Sequence, residues 1–90
     1  MATEVTVTEL AEAIANRGFV LDVREDHEWQ DGHVPNALHI PMNDVPNRLG
    51  ELDDGARIFV TCRSGARSLT IANYLESEGF DVVSVAGGTQ

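Results

Sequence analysis

The chain reads as one α/β domain with a mostly parallel sheet, and three observations point there. Short apolar, β-branched runs alternate with stretches of helical periodicity, the pattern of repeated strand–helix units. Phe19-Val20-Leu21 is continuously apolar, as strands covered on both faces are. At 90 residues, 42% of them hydrophobic, the chain can pack one core and is too short for two domains. Residues 1–90 are therefore read as a single unit, without linker, repeat or low-complexity stretch.

Each element has a local reason. Val5 to Val7 reads as a first edge strand, and Thr8 as an N-cap. Glu9 then sits in the first helical turn, where the dipole favours a carboxylate. Leu10, Ala13 and Ile14 supply one apolar helix face, and Gly18 closes the helix at C′. After the Phe19-Val20-Leu21 strand, polar Asp22 to Gly32 reads as a loop with one helical turn. Leu38-His39-Ile40 is a short strand stopped by Pro41. Asn43 or Asp44 caps a short helix towards Leu49, with Pro46 tolerated in its first turn. Asp53-Asp54-Gly55 is a turn, and Arg57 to Thr61 is the clearest strand. A loop from Cys62 leads into a helix over Ala66 to Glu78, closed by Gly79. Val82 to Val85 is the last strand, and Gly87-Gly88 a turn.

Charge narrows the function. Six Arg, no Lys and 15 acidic residues give a net charge of −9. Such a surface repels phosphate backbones and anionic lipid, so neither nucleic acid nor membrane is expected as a partner. No apolar run approaches the ~18 residues of a membrane span, and no basic segment leads into an apolar one. The single Cys excludes an internal disulfide and a Cys-pair zinc site. A domain stable without such staples suits a reducing compartment, so the cytoplasm is the expected location.

The informative stretch is Val60-Thr61-Cys62-Arg63-Ser64-Gly65-Ala66-Arg67-Ser68. Cys62 follows a buried strand and precedes a helix. Open α/β sheets bind ligands at the carboxyl ends of their strands, and a helix start offers N–H groups without intrahelical partners. A loop wound around Cys62 aims those groups at its sulfur, and Arg63 and Arg67 add permanent cations. Each favours thiolate over thiol, so Cys62 is expected to titrate below the ~8.5 of a free thiol. Gly65 lets the backbone turn tightly beside the sulfur. A free Cys is commonly a buried hydrophobe, but the neighbours here are polar, charged and Gly, which favours a reactive thiol.

These residues resemble the single-domain rhodanese-like sulfurtransferases. Leu21-Asp22-Val23-Arg24 is similar to that family's Asp-Val-Arg segment. Glu28-Trp29 and Gly32-His33-Val34-Pro35-Asn36-Ala37 are similar to its acidic-aromatic pair and its Gly-His-Ile-x-Gly-Ala motif. Ile40-Pro41, the Cys62 to Ser68 loop, Gly79-Phe80 and Gly87-Gly88 follow in the family's order, so the resemblance covers nearly the whole chain. It implies a three-layer α/β/α domain with a five-stranded, mostly parallel sheet. It also implies that the Cys thiolate takes a sulfane sulfur from a donor such as thiosulfate or a persulfide. The resulting persulfide is held by the loop's N–H groups and passed to a thiol or cyanide acceptor. By position, Cys62 is the nucleophile, and Arg63, Ser64, Gly65, Ala66 and Arg67 form the substrate cradle. Of the two Arg, Arg67 is expected to face an anionic donor. Asp22, Arg24 and Ser68 are assigned structural support, with Arg24 pairing with an acidic neighbour to brace the loops. Partners are a small sulfur donor and acceptor, or a protein persulfide donor, with no cofactor and no metal.

Two departures from the family pattern stand out. Asn36 occupies a position usually held by Gly, and Asn tolerates a left-handed backbone. Family members usually continue past Gly87-Gly88 with a Trp-containing helix covering one sheet face. Its apparent absence here implies either a truncated chain or a face buried otherwise, as in a dimer.

The remaining residues read more plainly. His27, His33 and His39 lack partners at metal-ligand spacing, and His33 reads as a hydrogen-bonded turn residue. Trp29 reads as a cap over the core, and the acidic residues as solvated faces. Two other functions compete. One is a Cys-dependent phosphatase, whose loop has one more residue than the four separating Cys62 from Arg67 here. The other is a non-enzymatic sulfur-carrier or interaction module.

Overall fold

The computed structural model describes residues 2–62 and 66–86. Strand β2 (Phe19–Asp22) lies between β3 (Leu38–His39) and β4 (Ile58–Thr61), and the sheet continues beyond β4 through β5 (Val82–Val85) to β1 (Thr3–Val5). All four pairings are parallel, so this is the five-stranded α/β sheet expected. Asp22 stands in register with Thr61, which brings the carboxyl ends of β2 and β4 level.

Alternation along the strands divides the core between two faces. Leu21, Val23, Ile58, Val60 and Val82 pack with Ile71, Ala72 and Leu75 of α3 (Ala66–Ser77). Val20, Val83 and Val85 pack on the other face with Leu10 of α1 (Val7–Ala15), beside half-buried Phe59. Period-2 side-chain placement makes this division unavoidable once both faces are covered. Leu75 is fully buried, and burial of such a side chain contributes about 1.5–3 kcal/mol. On the α1 face a groove of about 860 Å³, lined in part by Ile14, Phe19, Pro35, Leu38 and Arg57, opens at the amino ends of β2 and β4.

Several boundaries differ from the sequence reading. The first strand is Thr3–Val5, not Val5–Val7, and the N-cap is Thr6, not Thr8. The Thr6 hydroxyl accepts the Glu9 N–H at 3.2 Å, and Val7 is already an exposed helical residue. The segment after Pro41 is not a side-chain-capped helix from Asn43 or Asp44. It is a 3-10 helix over Met42–Asn47, without a side-chain cap, followed by a second over Leu49–Glu51. Pro46 is the fifth residue of the first rather than in its first turn, and it donates no N–H there. Asn36 adopts φ +65°, the left-handed conformation expected of it. The Asp53 carboxylate accepts the Gly55 N–H at 2.9 Å, closing that turn. Gly87-Gly88 lies outside the described residues.

The end of α1 also departs from expectation. Arg17, not Gly18, takes the left-handed C′ position, at φ +60°. Its N–H donates to the Ile14 carbonyl at 3.1 Å, and the Gly18 N–H donates to the Ala13 carbonyl at 2.6 Å. These two bonds close the helix in the Schellman pattern. Gly18 is required by crowding, since a Cβ there would lie 3.0 Å from the Ala13 carbonyl oxygen. Arg17 therefore carries the strain of a non-Gly residue at positive φ. Replacing Arg17→Gly should stabilise the fold by about 1 kcal/mol. The check is a higher urea midpoint at an unchanged denaturant slope.

Candidate functional site

The connection leaving β2 runs to β3 on one side, and that leaving β4 runs to β5 on the other. The crevice between the carboxyl ends of β2 and β4 is thus the topological switch point, where open α/β sheets bind ligands. Cys62 directly follows β4, and Asp22 ends β2.

Cys62 is fully buried. Burial alone is the usual state of an inert free Cys, but an amide aimed at the sulfur is not. The Ser68 N–H, in the first turn of α3, donates to Cys62 Sγ at 3.2 Å. Ser68 is itself anchored, because its hydroxyl bonds the Ser84 hydroxyl of β5 at 2.9 Å in the core. Of the expected cradle, Arg63, Ser64 and Gly65 lie outside the described residues, and Ala66 is the exposed first residue of α3.

Arg67 does not simply face solvent. Its Nη1 and Nη2 donate to Oε1 and Oε2 of Glu28 at 2.8 and 3.0 Å, a two-pronged pair spanning 39 residues of chain. Glu28 lies in α2 (Asp26–Gln30), and its Oε1 also accepts the Glu25 N–H at 2.9 Å. Donation from Arg67, then from Glu25, holds the Glu28 carboxyl well below the usual range, at about 2. The reading of the acidic residues as solvated faces therefore fails at Glu28, whose side chain is only 10% exposed. Nothing local announces the Glu28 pairing, since its partner is remote in sequence. The only signal was a guanidinium concentrated near Cys62 in a chain with six Arg.

Asp22 and Arg24 form the buried foundation of the crevice. Arg24 Nη2 lies 2.8 Å from Asp22 Oδ2, and its Nε donates to both carboxylate oxygens at 3.0 and 3.1 Å. The Arg24 backbone N–H adds a bond to Oδ1 at 2.9 Å. Arg24 Nη2 also donates to the Gly32 carbonyl at 2.7 Å, just past α2. Trp29 stacks with His33 and with His39, ring centroids 3.5 and 4.6 Å apart and nearly parallel. Two imidazoles that close cannot share one indole face, so the three rings form a sandwich. His33 Nδ1 bonds the Trp29 carbonyl at 2.9 Å, and His39 Nε2 the Arg24 carbonyl at 2.8 Å. Among the described residues, no cluster of three His, Cys, Asp or Glu is placed to hold a metal ion. No described helix is long and apolar enough to cross a membrane.

The family model for the rhodanese-like domain matches residues 6–90. A putative sulfurtransferase of Bacillus subtilis, YtwF, is 43% identical over 70 residues, covering 78% of this chain and 68% of that protein. The thiosulfate sulfurtransferase GlpE of Pseudomonas savastanoi is 35% identical over 82 residues, covering 89% and 77%. A crystal structure of a rhodanese-like domain protein from Staphylococcus aureus superposes with a TM-score of 0.91 at 34% identity, covering 96% of this chain and 86% of that one.

Two stability outcomes follow from the geometry. Asp22→Ala strands a buried guanidinium and should cost about 3–5 kcal/mol, read from urea unfolding. Glu28 is depressed from 4.5 to about 2, so its contribution is complete above pH 4.5 and lost as pH falls towards 2. The stability gap between wild type and Glu28→Gln, measured by urea unfolding across that window, should shrink with falling pH.

Proposed function

Because the chain belongs to the rhodanese-like domain family, we propose that it is a sulfurtransferase working through a persulfide on Cys62. The observation that carries this reading is the Ser68 N–H aimed at Cys62 Sγ from the first turn of α3, at the carboxyl end of β4. A helix-start amide favours an anionic sulfur, whether thiolate or persulfide. Arg67 adds a cation whose charge interacts with Cys62.

The chemistry is nucleophilic catalysis in two displacements. The Cys62 thiolate attacks the outer sulfur of a donor, either thiosulfate or an organic persulfide. The donor's S–S bond breaks, and sulfite or thiolate leaves with the electron pair. A thiol or cyanide acceptor, as its anion, then attacks the outer sulfur of the Cys62 persulfide. The new S–S bond breaks in turn, returning the electron pair to Cys62. The loop N–H groups of residues 63–67 are assigned to hold the terminal sulfur, and Asp22, Arg24 and Ser68 to brace the site. A reducing cytoplasm suits a catalyst that depends on one free thiol.

Intact mass after incubation with thiosulfate or a small persulfide tests the reading. Wild type should gain one sulfur atom and lose it on adding cyanide, while Cys62→Ser should gain none and show no turnover above background. Turnover in Cys62→Ser, or Cys62-dependent hydrolysis of p-nitrophenyl phosphate, would overturn it.

A further inference from the structure

The Arg67–Glu28 pair has a consequence for which donor the site accepts. Two of the five guanidinium N–H groups of Arg67 are held by the Glu28 carboxylate, which leaves three. The side chains are 29% and 10% exposed, so Arg67 keeps partial access to solvent while Glu28 is nearly covered. Glu28 cannot readily swing aside. Its Oε1 is also bound by the Glu25 N–H, and Arg24 ties the far end of α2 through the Gly32 carbonyl. Trp29, the next residue, is clamped between His33 and His39. The carboxylate is thus a fixed negative charge beside a cation of the sulfur site, in a chain already at −9.

We infer that Glu28 is a specificity-determining residue that orients Arg67 and offsets its charge, biasing the site towards sulfur donors of low charge, such as an organic persulfide, over dianionic ones such as thiosulfate. The inference rests on the sulfurtransferase reading and adds the donor class to it. Glu28 cancels attraction that Arg67 would otherwise exert on an incoming anion, and that loss scales with the anion's charge, so a dianion loses twice as much as a monoanion. The three remaining N–H groups of Arg67 still offer directional bonds to either donor. What Glu28 removes is net attraction, not recognition.

The test compares full-length wild type, Glu28→Gln and Glu28→Asp in sulfur transfer to cyanide. The donors are thiosulfate and a persulfide bearing no charge beyond its terminal sulfur. Removing the carboxylate should lower KM for thiosulfate by roughly fivefold at low salt, with kcat within about twofold. KM for the persulfide should move by less than about twofold, and Glu28→Asp should keep the wild-type donor ratio. An unchanged donor ratio in Glu28→Gln, or an equal loss with both donors, would reduce Glu28 to a structural brace and overturn the inference. A second readout is independent of sulfur transfer. The rate of Cys62 alkylation by anionic iodoacetate, relative to neutral iodoacetamide, should rise in Glu28→Gln and fall back as salt is added. A ratio that does not rise also overturns it. Wild type that accepts sulfur from neither donor would sink the sulfurtransferase reading instead, and the alkylation ratio would still decide the charge role of Glu28.

Discussion

The arrangement around the crevice depends on one buried ion pair, Asp22–Arg24. Taking a carboxylate and a guanidinium out of water costs several kcal/mol per ion, and such a pair persists only when its geometry is nearly saturated. Here both carboxylate oxygens accept from the guanidinium, and one accepts a backbone N–H as well. Because the pair cannot shift without exposing an uncompensated charge, everything bonded to it is fixed. The Gly32 carbonyl fixes the exit from α2, and the Arg24 carbonyl fixes His39 of β3. A five-residue helix has no independent stability. It stands because the ion pair holds one end and the His33–Trp29–His39 stack clamps its middle.

The opposite wall of the crevice is built differently. There β5 holds Ser68 through a buried hydroxyl pair, and Ser68 in turn presents its N–H to Cys62. The two walls meet at Arg67 and Glu28. The thiol, the amide and the cation thus come from the carboxyl end of β4 and from α3, while the counter-charge comes from α2. The charge balance of the site is a property of the contact between the walls, and of neither wall alone.

Local physics explains where sequence reading succeeded and where it slipped. Strands β2, β4 and β5 were legible because runs such as Ile58-Phe59-Val60 have few other stable fates. Reading Val5 to Val7 as the first strand placed the N-cap at Thr8, two residues late. Pairing of Thr3–Val5 with β5 ends the strand earlier, burying Val5 and leaving Val7 exposed. Gly18 marked the end of α1 for a different reason from the one inferred, because Arg17 takes the positive φ and Gly18 the close approach to Ala13. At the site, Cys62 and its place between strand and helix could be read directly, and the Asp22–Arg24 pairing lay within reach at a separation of two residues.

The sequence by itself determined the α/β class, the order of the main elements and the single thiol at the end of a buried strand, since each follows from short-range periodicity or from a residue count. Only the tertiary structure decided that the Ser68 hydroxyl meets the Ser84 hydroxyl, and that Glu28 is bound to Arg67. Those contacts join residues brought together by parallel crossovers, and Ser84 and Glu28 lie 16 and 39 residues from their partners. At such separations the polar partner of a Ser or a Glu leaves no trace in its neighbours. Its energy comes from a geometry that exists only when the sheet has closed.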